Sequence, residues 1–217
     1  MLKQTNVKQY LAVIAGMLIA ATVNSPVQAA SLNLVQSFPD LQVQDLPISY
    51  VADSTTGTVT GTFSVSGQYG LLLMNSGTTT NYLVNGPYDY NLSAQLDGSG
   101  SLLSGGFLKI SDSQGNSVLS ADLTNFSATG AGTGSSVFEF TTSQASGSLT
   151  TAYPGLQNNL GIIMNAVSTS TFVDFTHNFS ATVYADHFAV PVPPAAWLFG
   201  SGLIGLVAAG RRRQSAA

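Results

Sequence analysis

Residues 88–97 read YDYNLSAQLD, five consecutive apolar–polar pairs. A repeat of two puts Tyr88, Tyr90, Leu92, Ala94 and Leu96 on one face and the polar partners on the other; a helix would scatter them. This stretch is therefore a strand with one face buried, and such strands pair antiparallel. Residues 58–65 repeat the pattern, with Val59, Phe63 and Val65 against hydroxyls, and Ala181, Val183 and Ala185 alternate with Thr182, Tyr184 and Asp186. Further strands are expected at Pro47–Val51, Tyr69–Asn75, Thr79–Val84, Gly106–Ser111, Val118–Phe126, Val137–Thr142, Leu160–Asn165 and Thr171–Phe175. Residues 30–46 read as an irregular lead-in that holds at most one edge strand. Asn158–Ala166 fits a helix or a buried strand. Asp97-Gly98-Ser99-Gly100, Asp112–Asn116 and Asn85-Gly86-Pro87 carry turn chemistry, while Thr129–Ser136 is a flexible loop. Strands separated by hairpin turns, with no fixed repeat, predict a single all-β domain: an antiparallel β-sandwich or strongly curved sheet.

Both ends read differently. Residues 1–29 have the zones of a secretory signal peptide: Lys3 and Lys8, an apolar Leu11–Ala21, and Val27-Gln28-Ala29 as a small-x-small cleavage pattern. Cleavage is expected between Ala29 and Ala30. The apolar core is too short to span a membrane, which disfavours an uncleaved anchor. The chain has no cysteine, which excludes a lipoprotein, a disulfide and any thiolate chemistry.

At the other end, residues 190–213 read VPVPPAAWLFGSGLIGLVAAGRRR. Prolines come first, then an apolar run over 195–209, then three arginines. The prolines set the start of a helix and the arginines its end. The run would span roughly 22 Å, short of a hydrocarbon core about 30 Å thick. Such a helix is a brief tether whose basic end stays cytoplasmic and leaves the body outside. An ordinary C-terminal anchor follows the same hydropathy logic.

The order of these zones resembles the PEP-CTERM sorting signal of bacterial envelope proteins, which exosortases process. Val190, Pro191, Pro193 and Pro194 stand at the proline motif, here a VPxP variant without Glu. Trp197, Gly200, Gly202 and Gly205 lie in the apolar run, and Arg211, Arg212 and Arg213 form the terminal cluster. The resemblance covers residues 190–217 and carries nothing about the body's fold. It implies an exosortase-like membrane protease and the general secretion machinery as partners, a transient stay at the inner membrane, and association with exopolysaccharide and biofilm material in the outer envelope or outside the cell.

Domain organisation is thus 1–29 signal peptide, 30–189 body and 190–217 sorting signal. Once both signals are cut away, Lys109 is the single basic residue against ten acids, leaving the body nine net negative charges. Binding to nucleic acid or anionic lipid by electrostatics is excluded. The function expected is a non-catalytic envelope or matrix protein. The alternative is a carbohydrate-binding or adhesive module.

No motif points to a catalytic residue, a bound cofactor or a metal. Residues 200–205 match GxGxxG, but inside an apolar tail with no preceding strand, which removes the nucleotide reading. These glycines instead offer close approach to another transmembrane helix. His177 and His187 are the two histidines. They are too far apart on one strand to share an ion, and a partly exposed structural role is favoured over metal or acid–base work. The Asp97 and Asp112 loops lack the ligand pattern of an EF-hand and are favoured as hairpin turns over Ca²⁺ sites. Glu139, the sole Glu, lies between Phe138 and Phe140 and is expected to face solvent. Tyr88 and Tyr90 would form a sugar-stacking platform if exposed, but the alternation favours them as core. Asn91, Asn125 and Asn178 begin Asn-x-Ser matches that chance explains in so Ser-rich a body. An outer-membrane barrel is disfavoured by the helical tail and by the absence of a terminal aromatic.

Overall fold

The computed structural model describes residues 31–54, 58–76, 79–82, 86–103, 105–132, 135–157, 159–166 and 172–190. The expected signal-peptide cut at Ala29 and Ala30, and the sorting-signal positions from Pro191 to Arg213, lie outside these residues. Val190 lies within them. Among the described residues, no helix is long and apolar enough to cross a membrane.

Ten strands carry the fold: β1 (Asp40–Asp53), β2 (Thr60–Tyr69), β3 (Leu71–Ser76), β4 (Thr79–Tyr82), β5 (Tyr88–Asp97), β6 (Phe107–Ser111), β7 (Ser117–Thr129), β8 (Val137–Ser146), β9 (Leu160–Ala166) and β10 (Phe179–Ala189). A short helix α1 (Ser148–Ala152) and a 3₁₀ turn (Pro154–Leu156) connect β8 to β9. Every pairing is antiparallel, as the alternation requires.

The sheet does not stay open, nor does it split into two layers. Its order is β10-β9-β8-β7-β6-β5-β2-β1-β3-β4, and β10 also pairs with β1. Eight strands thereby close a barrel: the expected all-β antiparallel curved sheet is present, and it closes on itself instead of forming a two-layer sandwich. The β3–β4 hairpin extends the sheet beside the first half of β1, where Asp40–Val43 pair with Leu71–Met74. Closure rests on the long pairing of β1 with β10, from Asp40 opposite Phe188 to Tyr50 opposite Phe179. Removing the edges satisfies two rows of backbone groups that an open sheet would leave unpaired.

The expected lead-in also changes character. Residues 40–46 are the first half of β1, an internal strand of the ring rather than an edge. Pro47 is tolerated there because a bulge precedes it: Gln44 and Asp45 both face Tyr184, and Asp45 takes a left-handed φ of 56°. Of Asn158–Ala166, residues Leu160–Ala166 form a strand, β9, and Asn158 lies outside the described residues.

An eight-stranded barrel is just wide enough for side chains to fill it. Phe63 of β2 reaches across to Phe138 and Phe140 of β8, the strand diametrically opposite, with both ring centroids 5.4 Å away. Phe126 and Phe179 complete the cluster, and Tyr50, Leu92, Leu108, Ile110, Ile162 and Val183 are buried with it. The inward faces are apolar and packed, while the outward positions of β2 and β5 carry Thr62, Ser64, Asn91, Ser93 and Gln95. A lipid-embedded barrel has the opposite polarity.

One end is plugged by a segment that looks like a strand in sequence. Residues 172–178 form no ladder; Phe172 and Phe175 turn inward and are buried. The Tyr50 hydroxyl donates to the Phe175 carbonyl at 2.9 Å. Phe175 lies on Gly100 (φ 82°), where a Cβ would come within 2.6 Å of its ring. Apolar spacing of the Phe172–Phe175 kind serves a plug as well as a strand, so periodicity could not separate them.

Candidate functional site

The strand alternation decides which of the singled-out residues reach the surface. Tyr88 and Tyr90 point into the barrel, 5% and 0% exposed. A sugar platform at these two rings is ruled out. Tyr90 instead donates its hydroxyl to His187 Nε2 (2.8 Å), while His187 Nδ1–H donates to the Leu41 carbonyl (2.9 Å). A carbonyl can only accept, which fixes the tautomer. His187 is fully buried rather than partly exposed, and burial depresses its pKa to about 4 despite the Leu41 bond. Burial also pushes the Tyr90 hydroxyl up, so both groups stay neutral.

His177 lies in the turn that precedes β10, beyond Phe179, which is itself roughly 26 Å along the strand from His187 at 3.3 Å per residue. The exposed ring holds Asp174 Oδ1 at 2.8 Å within a turn. Burial raises the Asp174 pKa, but bonds from His177 and Thr176 outweigh it and hold the carboxyl below its usual range.

The two turn aspartates spend their oxygens on their own loops. Asp97 Oδ1 accepts from Ser99 N–H, Ser99 Oγ and Ser101 N–H. Asp112 accepts from Gln114 N–H, Asn116 N–H and Asn116 Nδ2. These are side-chain-closed turns, which accounts for Asp and Ser or Asn at those positions.

Glu139 corrects its expectation. It does point away from the phenylalanines, but it is 6% exposed. Residues 31–39 run across the outside of the barrel and cover it. Its carboxylate accepts from Leu32 N–H (2.8 Å), Leu34 N–H (3.2 Å), Ser31 Oγ (3.0 Å) and Ser127 Oγ (2.8 Å). Burial raises its pKa, and these four bonds more than reverse that. The strap is tied down again where Ser37 Oγ donates to the Ala189 carbonyl at 2.6 Å.

A further surface feature lies at the β1 bulge. An open cleft of about 310 Å³ is lined by Gln42, Gln44, Asn165, Tyr184 and Asp186, with Val43 and Ala185 beneath. Cross-strand pairing builds it: Tyr184 stands opposite Asn165 and Asp186 opposite Gln42. The bulge doubles β1 opposite Tyr184, bending the strand and displacing Gln44 from the ladder. The Tyr184 ring is 43% exposed. Alternation alone placed Tyr184 and Asp186 outward, but the bulge that makes a cleft of them left no signal in the sequence.

Behind this cleft sits Asp40, outward-facing yet fully buried. Gln36 and Gln42 donate to its Oδ2, while Oδ1 has no hydrogen-bond partner among the described residues. Burial raises its pKa against those bonds. Burial, then the nearby Asp40 charge, pushes Asp186 up to about 6, against a bond from Gln42.

A testable pH dependence follows from Asp186. The folded carboxyl holds its proton up to about pH 6, whereas the unfolded one releases it near 3.8. The associated stability is present below 3.8 and is lost as pH rises through 6. At about 1.4 kcal/mol per unit this is at most roughly 3 kcal/mol, and solvent contact reduces it to about 1. Asp186→Asn should therefore stabilise the protein by about 1 kcal/mol at pH 7.5 and leave it unchanged at pH 3.5. Denaturant melts at the two pH values check this; equal effects at both would refute the assignment.

No protein-family model matches this chain, and neither a curated protein nor a solved structure does.

Proposed function

We propose that the chain is an exported, non-catalytic envelope or extracellular-matrix protein, delivered by the general secretion machinery and sorted by an exosortase-like membrane protease. The observation that supports this most directly is where the barrel finishes. Among the described residues every strand pairing lies between Asp40 and Ala189, and Val190 N–H adds a bond to the Asn159 carbonyl. The ring of strands is thus already closed by residues that precede the expected sorting signal. A signal that is to be cut off must contribute nothing the fold needs, and a ring closed by Ala189 supports that reading.

In this reading the prolines keep the cleavage region extended, Trp197 anchors at the interface, and Arg211, Arg212 and Arg213 orient the helix. The uncharged hydroxyl and amide surface suits a hydrated polysaccharide setting. Changing Arg211, Arg212 and Arg213 together to Glu is expected to abolish tail processing. Intact mass of the secreted and membrane-bound forms in the producing cell reads the outcome. Undiminished release of the trimmed protein would sink the proposal.

A carbohydrate-binding or adhesive module remains the second reading. Tyr88 and Tyr90 are buried and offer it no platform, but the cleft at the β1 bulge presents an exposed Tyr184.

A further inference from the structure

We propose that the cleft at the β1 bulge binds a short neutral saccharide, with Tyr184 as the stacking surface and Gln42, Gln44, Asn165 and Asp186 as hydrogen-bonding partners. The inference deepens the carbohydrate-module reading and rests on it. It does not require the tail to be a sorting signal.

The chemistry of the lining selects the ligand class. The amides of Gln44 and Asn165 each offer paired donors and an acceptor, Gln42 offers its carbonyl because its N–H groups serve Asp40 and Asp186, and Asp186 offers acceptors only. Adjacent hydroxyls on a sugar ring present the complementary donors and acceptors at matching spacing. Tyr184 adds a rigid amphipathic ring, half in solvent, against which the C–H face of a pyranose can lie. The three strands that carry these groups are locked in one barrel wall, so little ordering cost remains at binding. At about 310 Å³ the cleft falls at the lower end of ligand-site volumes, consistent with a short oligosaccharide.

Other classes fit less well. Asp186 lies in the cleft and Asp40 behind it, and the body's single lysine, Lys109, is on β6, directly across the barrel from β10. A polyanion would meet only negative charge. A divalent cation such as Ca²⁺ takes about 6–8 oxygens, commonly from several carboxylates, whereas Asp186 is the one carboxylate that lines the cleft. An apolar peptide would find only Val43 and Ala185, both buried beneath the polar rim.

The test is a titration of the full chain in a zwitterionic detergent, since a sugar-headed detergent would compete. The probes are neutral tetrasaccharides of glucose, galactose, mannose and N-acetylglucosamine, with a chitosan and a polygalacturonate oligomer as charged arms. Calorimetry and amide NMR shifts read the result. At least one neutral tetrasaccharide should bind saturably, with a Kd of about 0.1–1 mM. The largest shifts should fall on Gln42, Gln44, Asn165 and Tyr184. Tyr184→Ala should weaken binding about tenfold or more without moving the melting temperature, and Tyr184→Phe should retain it. Asn165→Ala should weaken it roughly three- to tenfold by removing a hydrogen-bonding partner. No saturable binding by any neutral probe, shifts mapping elsewhere, or binding by a charged oligomer alone would overturn the proposal. Mapping on the unmodified chain keeps the test decisive if a variant misfolds. Failure here leaves the sorting proposal standing, since tail processing decides that separately.

Discussion

Phe63→Ala should cost about 3–5 kcal/mol and lower the melting temperature by roughly 8–16 °C. Phe63 is 0% exposed, and its ring lies within 6.4 Å of four others, on β7, β8 and β10. Two of those rings are on the strand opposite, so the truncation opens a void in the middle of the barrel. The ring of strands is held by backbone ladders and cannot collapse to fill it, which places the cost at the upper end for the chemistry. Phe63→Leu, which keeps most of the volume, should cost about 1–1.5 kcal/mol. Denaturant midpoints at an unchanged slope measure both. A loss below about 1.5 kcal/mol for the alanine variant would mean that the interior is not packed across the ring.

Glu139→Ala should cost about 1–3 kcal/mol, because it removes a charged acceptor from four donors on two elements, of which the Ser127 bond is buried. Leu32 N–H, Leu34 N–H, Ser31 Oγ and Ser127 Oγ all point at this one carboxylate. Glu139→Gln should be milder, about 1 kcal/mol, since the amide oxygen can keep the three bonds made to Oε2 and the amide nitrogen then opposes only the Leu34 N–H. The strap should respond before the barrel does. Amide exchange at Leu32 and Leu34 should speed up while that of Leu92 and Ile162 stays slow. The acid behaviour has a definite sign. The folded carboxyl sits below its unfolded value of 4.5, so its stabilisation is full above 4.5 and lost as pH falls through the folded value. The alanine variant should lack that acid-dependent step. Slow exchange at Leu32 and Leu34 in Glu139→Ala would show that something other than this carboxylate holds the strap.

Residues 31–39 form the strap that Glu139 holds across the outside of the barrel. Its ties at Glu139 and at the Ala189 carbonyl bring the beginning and end of the body onto one side of the molecule.

Local pattern carried a great deal. Alternation assigned Tyr88, Tyr90, Leu92 and Leu96 to the interior and Asn91, Ser93 and Gln95 to the outside, and β5 obeys it. Turn chemistry at Asp97 and Asp112 marked two connections whose carboxylates close them as expected. Both follow from the sequence because the cause is local: a strand's side chains alternate by geometry, and an aspartate closes a turn within four residues. Other features needed partners far along the chain. The pairing of Asp40 with Phe188 closes the barrel, and no local signal says which strands meet. Glu139 is outward by alternation, yet buried, because a strap more than a hundred residues away in sequence crosses over it. Phe172 and Phe175 share the spacing of a strand and serve as a plug. The cleft exists because a bulge in β1 sets Gln44 beside Tyr184 of β10. Polarity repeating every second residue determined which way each side chain points; closure, cover and bulge decided what each one meets, because those depend on contacts that only the folded chain brings together.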